Sequence, residues 1–330
     1  MNDVLHFSRD VRVRGFAAAG GSREARGPFG DRFCLSSRDD LFGQPTFEKA
    51  ERQMQIRVTE TASARAGLSP EAVLAGDLLN QCTASALAAR DAGAPFLGLY
   101  GACSTMAEGL LLSACLVDGG YRSSVLCVTS SHFCSAERQY RFPLEYGAFR
   151  APTAQWTVTG AGAALLARDG EGPRVTAALP GRIIDPGITD ANDMGACMAP
   201  AACDTLTRFF RETGTRPGDY DGIFTGDLGR RGRDLAEALL RAEGYPPGDR
   251  LIDCGTLIYA AGESGVGMGG SGCGCSAAVL CAYLLPALAE GAMQNILFVG
   301  TGALMSPTST GQGDPIPGVA HLVQLQGGVR

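Results

Sequence analysis

The sequence is nearly without lysine: of 28 basic residues only Lys49 is not an arginine. It carries three histidines (His6, His132 and His321), one tryptophan (Trp156), and no apolar run as long as a bilayer is thick. Each scarcity excludes something. Without a basic block or basic residues interleaved with aromatics, and with a net charge of −6, nothing points to nucleic acid. The histidines are too few and too scattered for a metal set. The nearest approaches to one, Cys273-x-Cys275 and His132-x-Cys134, lack a second pair at zinc-site spacing, so no metal is expected. Without an apolar span, any membrane contact is expected to be peripheral or made through a partner. No signal peptide is read at the N-terminus, so the twelve cysteines are expected to be reduced intracellular thiols. The arginine bias suits carboxylate or phosphate ligands, but a GC-rich genome produces it equally well.

What is present is a chain of 330 residues, 45% hydrophobic, 19% charged and rich in glycine, long enough to bury a sizeable core. Residues 20–50 lack periodicity and read as an irregular surface excursion. Beyond them short apolar runs alternate with helical patterns. Val73–Leu79, Phe96–Tyr100 and Ser124–Thr129 read as buried strands, and Glu60–Ala66 and Ser104–Val117 as helices. The second half offers strands at Ile223–Thr225, Leu251–Asp253 and Ile296–Val299, and helices at Cys203–Glu212, Arg233–Ala242 and Cys275–Ala289. This alternation predicts an α/β architecture with largely parallel sheets.

The halves echo one another. "CSTMAEGLLLSACLVDGG" from Cys103 and "CSAAVLCAYLLPALAEGA" from Cys275 both open on Cys-Ser. Both reach an acidic residue and a glycine (Asp118-Gly119, Glu290-Gly291) at identical spacing. Upstream, "AGDLLN" at Ala75 and "TGDLGR" at Thr225 form a second echo in the same order. An internal duplication, with halves 1–170 and 171–330, accounts for both better than chance does.

Cys103 ends an apolar run at a glycine turn where a helical pattern begins, a position that favours thiolate through unpaired N–H groups and the helix dipole. The plain alternative is a buried apolar thiol. "GVGMGG" holds a formal G-x-G-x-x-G (Gly265, Gly267, Gly270) away from the first βα turn. It reads as a tight loop, and no cofactor is expected. His132 falls just beyond the strand that follows the Cys103 helix, where a ligand pocket of a doubled α/β sheet would gather residues.

Several stretches resemble the thiolase-like superfamily. "YGACST" is similar to its nucleophile turn, "TVTGAGAALLARDG" to its glycine–alanine strand, and "GSGCGCSA" and "VGTGALMS" to the glycine turns of its second half. Within it the chain resembles the stage V sporulation protein AD family of endospore-forming bacteria. The stretches "ERQYRFPLEYG", "PTAQWTVTGAGAALL", "GEGPRVT", "NDMGACMAPAACDT", "TGDLGRRG" and "TGALMSP" carry that likeness. The resemblance implies a five-layered α-β-α-β-α fold from two βαβαβαββ halves. It implies uptake of dipicolinic acid (pyridine-2,6-dicarboxylate), as its calcium chelate, into the forespore. It also implies work beside membrane-embedded partners of the same operon, at the spore inner membrane, and a homodimer built on the strand Ser124–Thr129.

Condensing enzymes of this superfamily need a second-half histidine, and "GMGGSGCGC" has none, so Cys103 reads as the relic of a nucleophile. The expected ligand pocket includes Cys103 and His132, with Arg138 as a carboxylate fork and Gln155, Trp156, Asn192 and Met194 as further contacts. The competing readings are an acyltransferase or thioesterase using Cys103 with His132 as base, and a purely structural adaptor.

Overall fold

The computed structural model describes residues 3–140 and 150–328. Ten of the twelve strands in the main sheet system follow the order Leu251–Asp253, Gly222–Thr225, Asn295–Ala303, Gly318–Gln326, Arg174–Leu179, Val11–Gly20, Gly160–Arg168, Ser124–Ser131, Ala72–Gly76, Phe96–Gly98, with the short strands Leu5–His6 and Leu35–Ser36 pairing to its side. From the middle outward the two sets of five run in the same chain order. The first and last strands of each set lie inside, and the third lies at the edge. The sets meet through a single paired position, Arg12 against Arg174.

The sheets are mixed rather than largely parallel. In each set the two outer pairings are parallel and the two inner ones antiparallel. Parallel neighbours need a long crossover, which the helices between the early strands of each set supply. Between Asn295–Ala303 and Gly318–Gln326 lies only a loop with the one-turn helix Pro307–Gly311, so the chain returns antiparallel.

Helix Phe47–Ala66 covers one sheet from outside, and Met194–Thr213 with Gly229–Ala242 covers the other. Between the sheets lies Thr105–Asp118, in contact with strands of both, with the helix from Cys273 alongside it. That is the five-layered arrangement. The glycine-rich strands make it possible. A Cβ on Gly162 would sit 2.3 Å from the Ala277 carbonyl oxygen, and one on Gly300 would sit 2.6 Å from the Ala107 Cβ. Each glycine therefore lets an inner helix lie directly on a strand.

Several expectations need correction. The first helix starts thirteen residues before Glu60, at Phe47, with the Thr46 hydroxyl accepting from the Lys49 N–H. Its buried face, Ala50, Met54, Val58 and Ala62, runs at four-residue spacing beneath a surface of charges that hides it. The excursion before it is not all surface, since Glu24 and Phe29 are buried. Phe96–Gly98 is an exposed edge strand, with Leu97 50% accessible, rather than a buried one. Ser124–Ser131 is paired on both sides, so it cannot carry an edge-to-edge dimer contact.

Candidate functional site

Strand Phe96–Gly98 leads through Leu99 and Gly101 into a single 3₁₀ turn, Ala102–Ser104, before helix Thr105–Asp118. Ala102 sits at φ +51°, a left-handed conformation that costs a non-glycine residue about 1–3 kcal/mol. The turn places Cys103, 7% exposed, at the floor of a cleft with about 460 Å³ of empty space, part of it open to solvent. Leu78, Ala136, Met194 and Met305 form the apolar wall, and Glu137, Tyr140, Thr157 and Ser271 supply polar groups. No lysine or arginine lines the cleft among the described residues.

Cys103 faces a carboxylate. Asp227, which follows strand Gly222–Thr225 and is fully buried, stands near enough for its charge to act on the thiol. Asp227 accepts from the Thr301 hydroxyl (3.0 Å), the Ser271 hydroxyl (3.1 Å) and the Gly272 N–H (2.9 Å). Burial, and then the Asp227 charge, push the Cys103 thiol well above the ordinary cysteine range. The expectation of a lowered pKa is therefore overturned: the residue precedes the helix proper, and an anion stands where an activating cation is needed. Cys273, rather than Cys275, shares the small apolar cluster around Cys103.

Two of the seven sequence-selected residues, Cys103 and Met194, line the cleft. His132 does not. It is fully buried, its Nδ1 accepts from the Cys134 N–H (3.2 Å), its Nε2 meets the Asp40 carbonyl (2.8 Å), and burial lowers its pKa. With both ring nitrogens committed, it has none to offer Cys103. Arg138 points to the outer face of helix Phe133–Tyr140, paired with Glu48. Asn192 is exposed and bonded to Asp190.

Gln155 and Trp156 stand behind the cleft rather than in it. Gln155 donates to the Asp227 carbonyl (2.7 Å) and the Gly270 carbonyl (3.0 Å), clamping the loop that holds Asp227. Trp156 stacks on Phe133 at 3.8 Å, with the Arg23 guanidinium 4.3 Å from its ring centre. Arg150 does not line the cleft but is tied to it through Glu137. It pairs with the cleft carboxylate of Glu137 (3.2 Å), donates to the Gln155 carbonyl (2.5 Å) and lies over the Phe133 and Trp156 rings. Of the stretch "ERQYRFPLEYG", residues 141–147 lie outside the described residues.

Sequence reasoning missed Asp227, Glu137 and Arg150. A signal for Asp227 existed. The "AGDLLN" and "TGDLGR" echo superposes it on Asp77, and both aspartates are wholly buried and accept backbone N–H bonds. No group of three or more histidine, cysteine, aspartate or glutamate side chains comes together as a metal ion would require, and no helix is long and apolar enough to cross a membrane, among the described residues.

Comparison with known proteins gives a family and a fold. The family model described as Stage V sporulation protein AD matches residues 2–326. The Stage V sporulation protein AD of Bacillus subtilis (strain 168) is 40% identical over 323 residues, covering 97% of this chain and 95% of that protein. Among solved structures, 3-oxoacyl-(acyl carrier protein) synthase III of Pseudomonas aeruginosa PAO1 shares 17% identity at a TM-score of 0.60. That match covers 97% of this chain and 98% of that one. Cerulenin-bound OleA of Xanthomonas campestris shares 15% identity at a TM-score of 0.61, covering 98% of each chain. These structures establish the thiolase-like fold.

Proposed function

The chain belongs to the Stage V sporulation protein AD family, and from that premise we propose that it binds dipicolinic acid in the Cys103 cleft for delivery into the forespore, without condensing activity. The observation that carries the second part is the burial of Cys103 near the Asp227 carboxylate. A thiol held protonated by burial and by a neighbouring carboxylate is a poor nucleophile at neutral pH. With His132 committed elsewhere, no observation favours acyl transfer.

For binding, the cleft offers an apolar wall for a flat ring, hydroxyls at Tyr140, Thr157 and Ser271, and Arg150 within reach through its pairing with Glu137. Its own charge is acidic rather than basic, which fits a ligand whose carboxylates are already neutralised, as in a calcium chelate, better than a bare dianion. Peripheral placement at the spore inner membrane through membrane-embedded partners belongs to the same reading. Calorimetric titration tests it. Dipicolinate with calcium should bind with one site per chain, pyridine should not bind measurably, and Cys103→Phe should abolish binding while leaving the circular dichroism unchanged. Equal binding by pyridine, or by the Phe variant, would place the ligand elsewhere.

We also propose a homodimer, moved from Ser124–Ser131 to the free edge Phe96–Gly98. That edge is uncharged and displays Phe96, Leu97, Tyr100 and the neighbouring Leu87. Antiparallel pairing of two such edges would satisfy their open backbone groups and join the two sheets. Light scattering at micromolar concentration should give a dimer for the parent and a monomer for Leu97→Lys. A dimer that survives the substitution would exclude this edge.

A further inference from the structure

A second cavity abuts the cleft on its outer side. Asn80, Tyr100, Ser306 and Ser309 line it, and it shares Ala102, Tyr140 and Met305 with the inner one. Exposure falls along this line, from Tyr100 at 50% to Cys103 at 7%. Tyr140 stands at the boundary and is fixed there. Its backbone ends helix Phe133–Tyr140, its hydroxyl donates to the Leu78 carbonyl (2.7 Å), and the Tyr100 hydroxyl lies 3.0 Å from the Tyr140 hydroxyl. Met305, which lines both cavities as Tyr140 does, contributes a flexible thioether.

We propose that Tyr140 sets the width of the route from the outer chamber to Cys103, and so determines what size of molecule reaches the cleft. One group at the neck is an aromatic ring held at both ends, and another is a side chain that can yield. A thin planar molecule can slip past them, whereas a wide one requires the ring to leave its hydroxyl partners. The inference needs only the geometry and not the identity of the ligand, so a failed dipicolinate titration would not touch it.

Labelling of Cys103 provides the test, read by peptide mass mapping at pH 8.5 with a narrow reagent (N-methylmaleimide) and a wide one (N-pyrenylmaleimide). In the parent the narrow reagent should be strongly favoured. Tyr140→Ala should speed the wide reagent at least tenfold and the narrow one less than threefold. Met305→Ala, at the same neck, should shift the ratio in the same direction. Tyr140→Phe keeps the ring and loses the hydroxyl bonds, so its ratio should fall between parent and alanine variant. If the ratio is unchanged in Met305→Ala and in Tyr140→Phe, the route does not pass this neck and the proposal is overturned, whether or not the alanine variant at 140 folds.

Discussion

Asp227→Asn should make Cys103 react ten- to a hundredfold faster with iodoacetamide at pH 8. Asp227 stands near Cys103, and after burial its charge is the largest cause of the raised thiol pKa. Asparagine with its carbonyl oxygen on the Gly272 side keeps an acceptor for the Gly272 N–H and the Ser271 hydroxyl, turns its NH2 toward the Thr301 hydroxyl oxygen, and removes the charge. A nearby buried charge of this kind is worth about one to two pKa units, and each unit is tenfold in the thiolate fraction available at a pH below the pKa. Cys134, at partial exposure and without Asp227 among its neighbouring charges, is the internal control. If Cys103 labels no faster in the variant than in the parent, the carboxylate does not restrain the thiol, and the argument against nucleophilic chemistry loses its main support.

The same pair shows what was legible in the sequence. The glycine turns and Cys-Ser starts announced two inner helices, and their spacing gave the repeated layout that the strand order displays. Cys103 and Met194 were readable as cleft residues because strand ends and a helix start of this fold converge on one place. His132 was not, because nothing in "SSHFCS" distinguishes an imidazole facing a ligand from one whose two nitrogens close a loop onto Asp40 and Cys134. Arg138 lies in the last turn of helix Phe133–Tyr140, and Arg150 lies in no helix or strand. Which of them reaches Glu137 depends on helix phase and on a strand pairing of two residues, Trp156–Thr157 with Gly270–Ser271, that carries no periodic signal. Asp227 was visible in the repeated Gly-Asp-Leu but acquired a role only when Thr301, Ser271 and Gly272 were brought around it from distant parts of the chain.

The buried acids that sequence reading passed over should also give the protein an unusual pH profile, with stability falling as pH rises from 6.5 to 8.5. Burial raises Glu24 to about 7, against the opposing bond from the Tyr259 hydroxyl (2.6 Å), and raises Asp253 to about 7 beside Asp227. Glu51 and Asp77, a buried pair that repel each other, are both raised. In the unfolded chain these groups lose their protons near 4, whereas the folded protein keeps them. The folded state therefore binds more protons between those values, and stability decreases with pH until the folded pKa is passed. His132 and His321 work the other way. Burial lowers both, His321 to about 4, so their contribution is lost only as pH falls below 6.5. Above that point the carboxylates act without opposition, and buried thiols such as Cys127 and Cys254, raised by burial, add to the loss beyond pH 8. The drop in unfolding free energy across this window should be on the order of 2 kcal/mol, read from urea midpoints under reducing conditions. Glu24→Gln keeps an acceptor for Tyr259 and removes one titration, so its profile should be flatter than the parent's. A parent midpoint that is level or higher at pH 8.5 would mean that these carboxylates are ionised in the folded protein throughout the range.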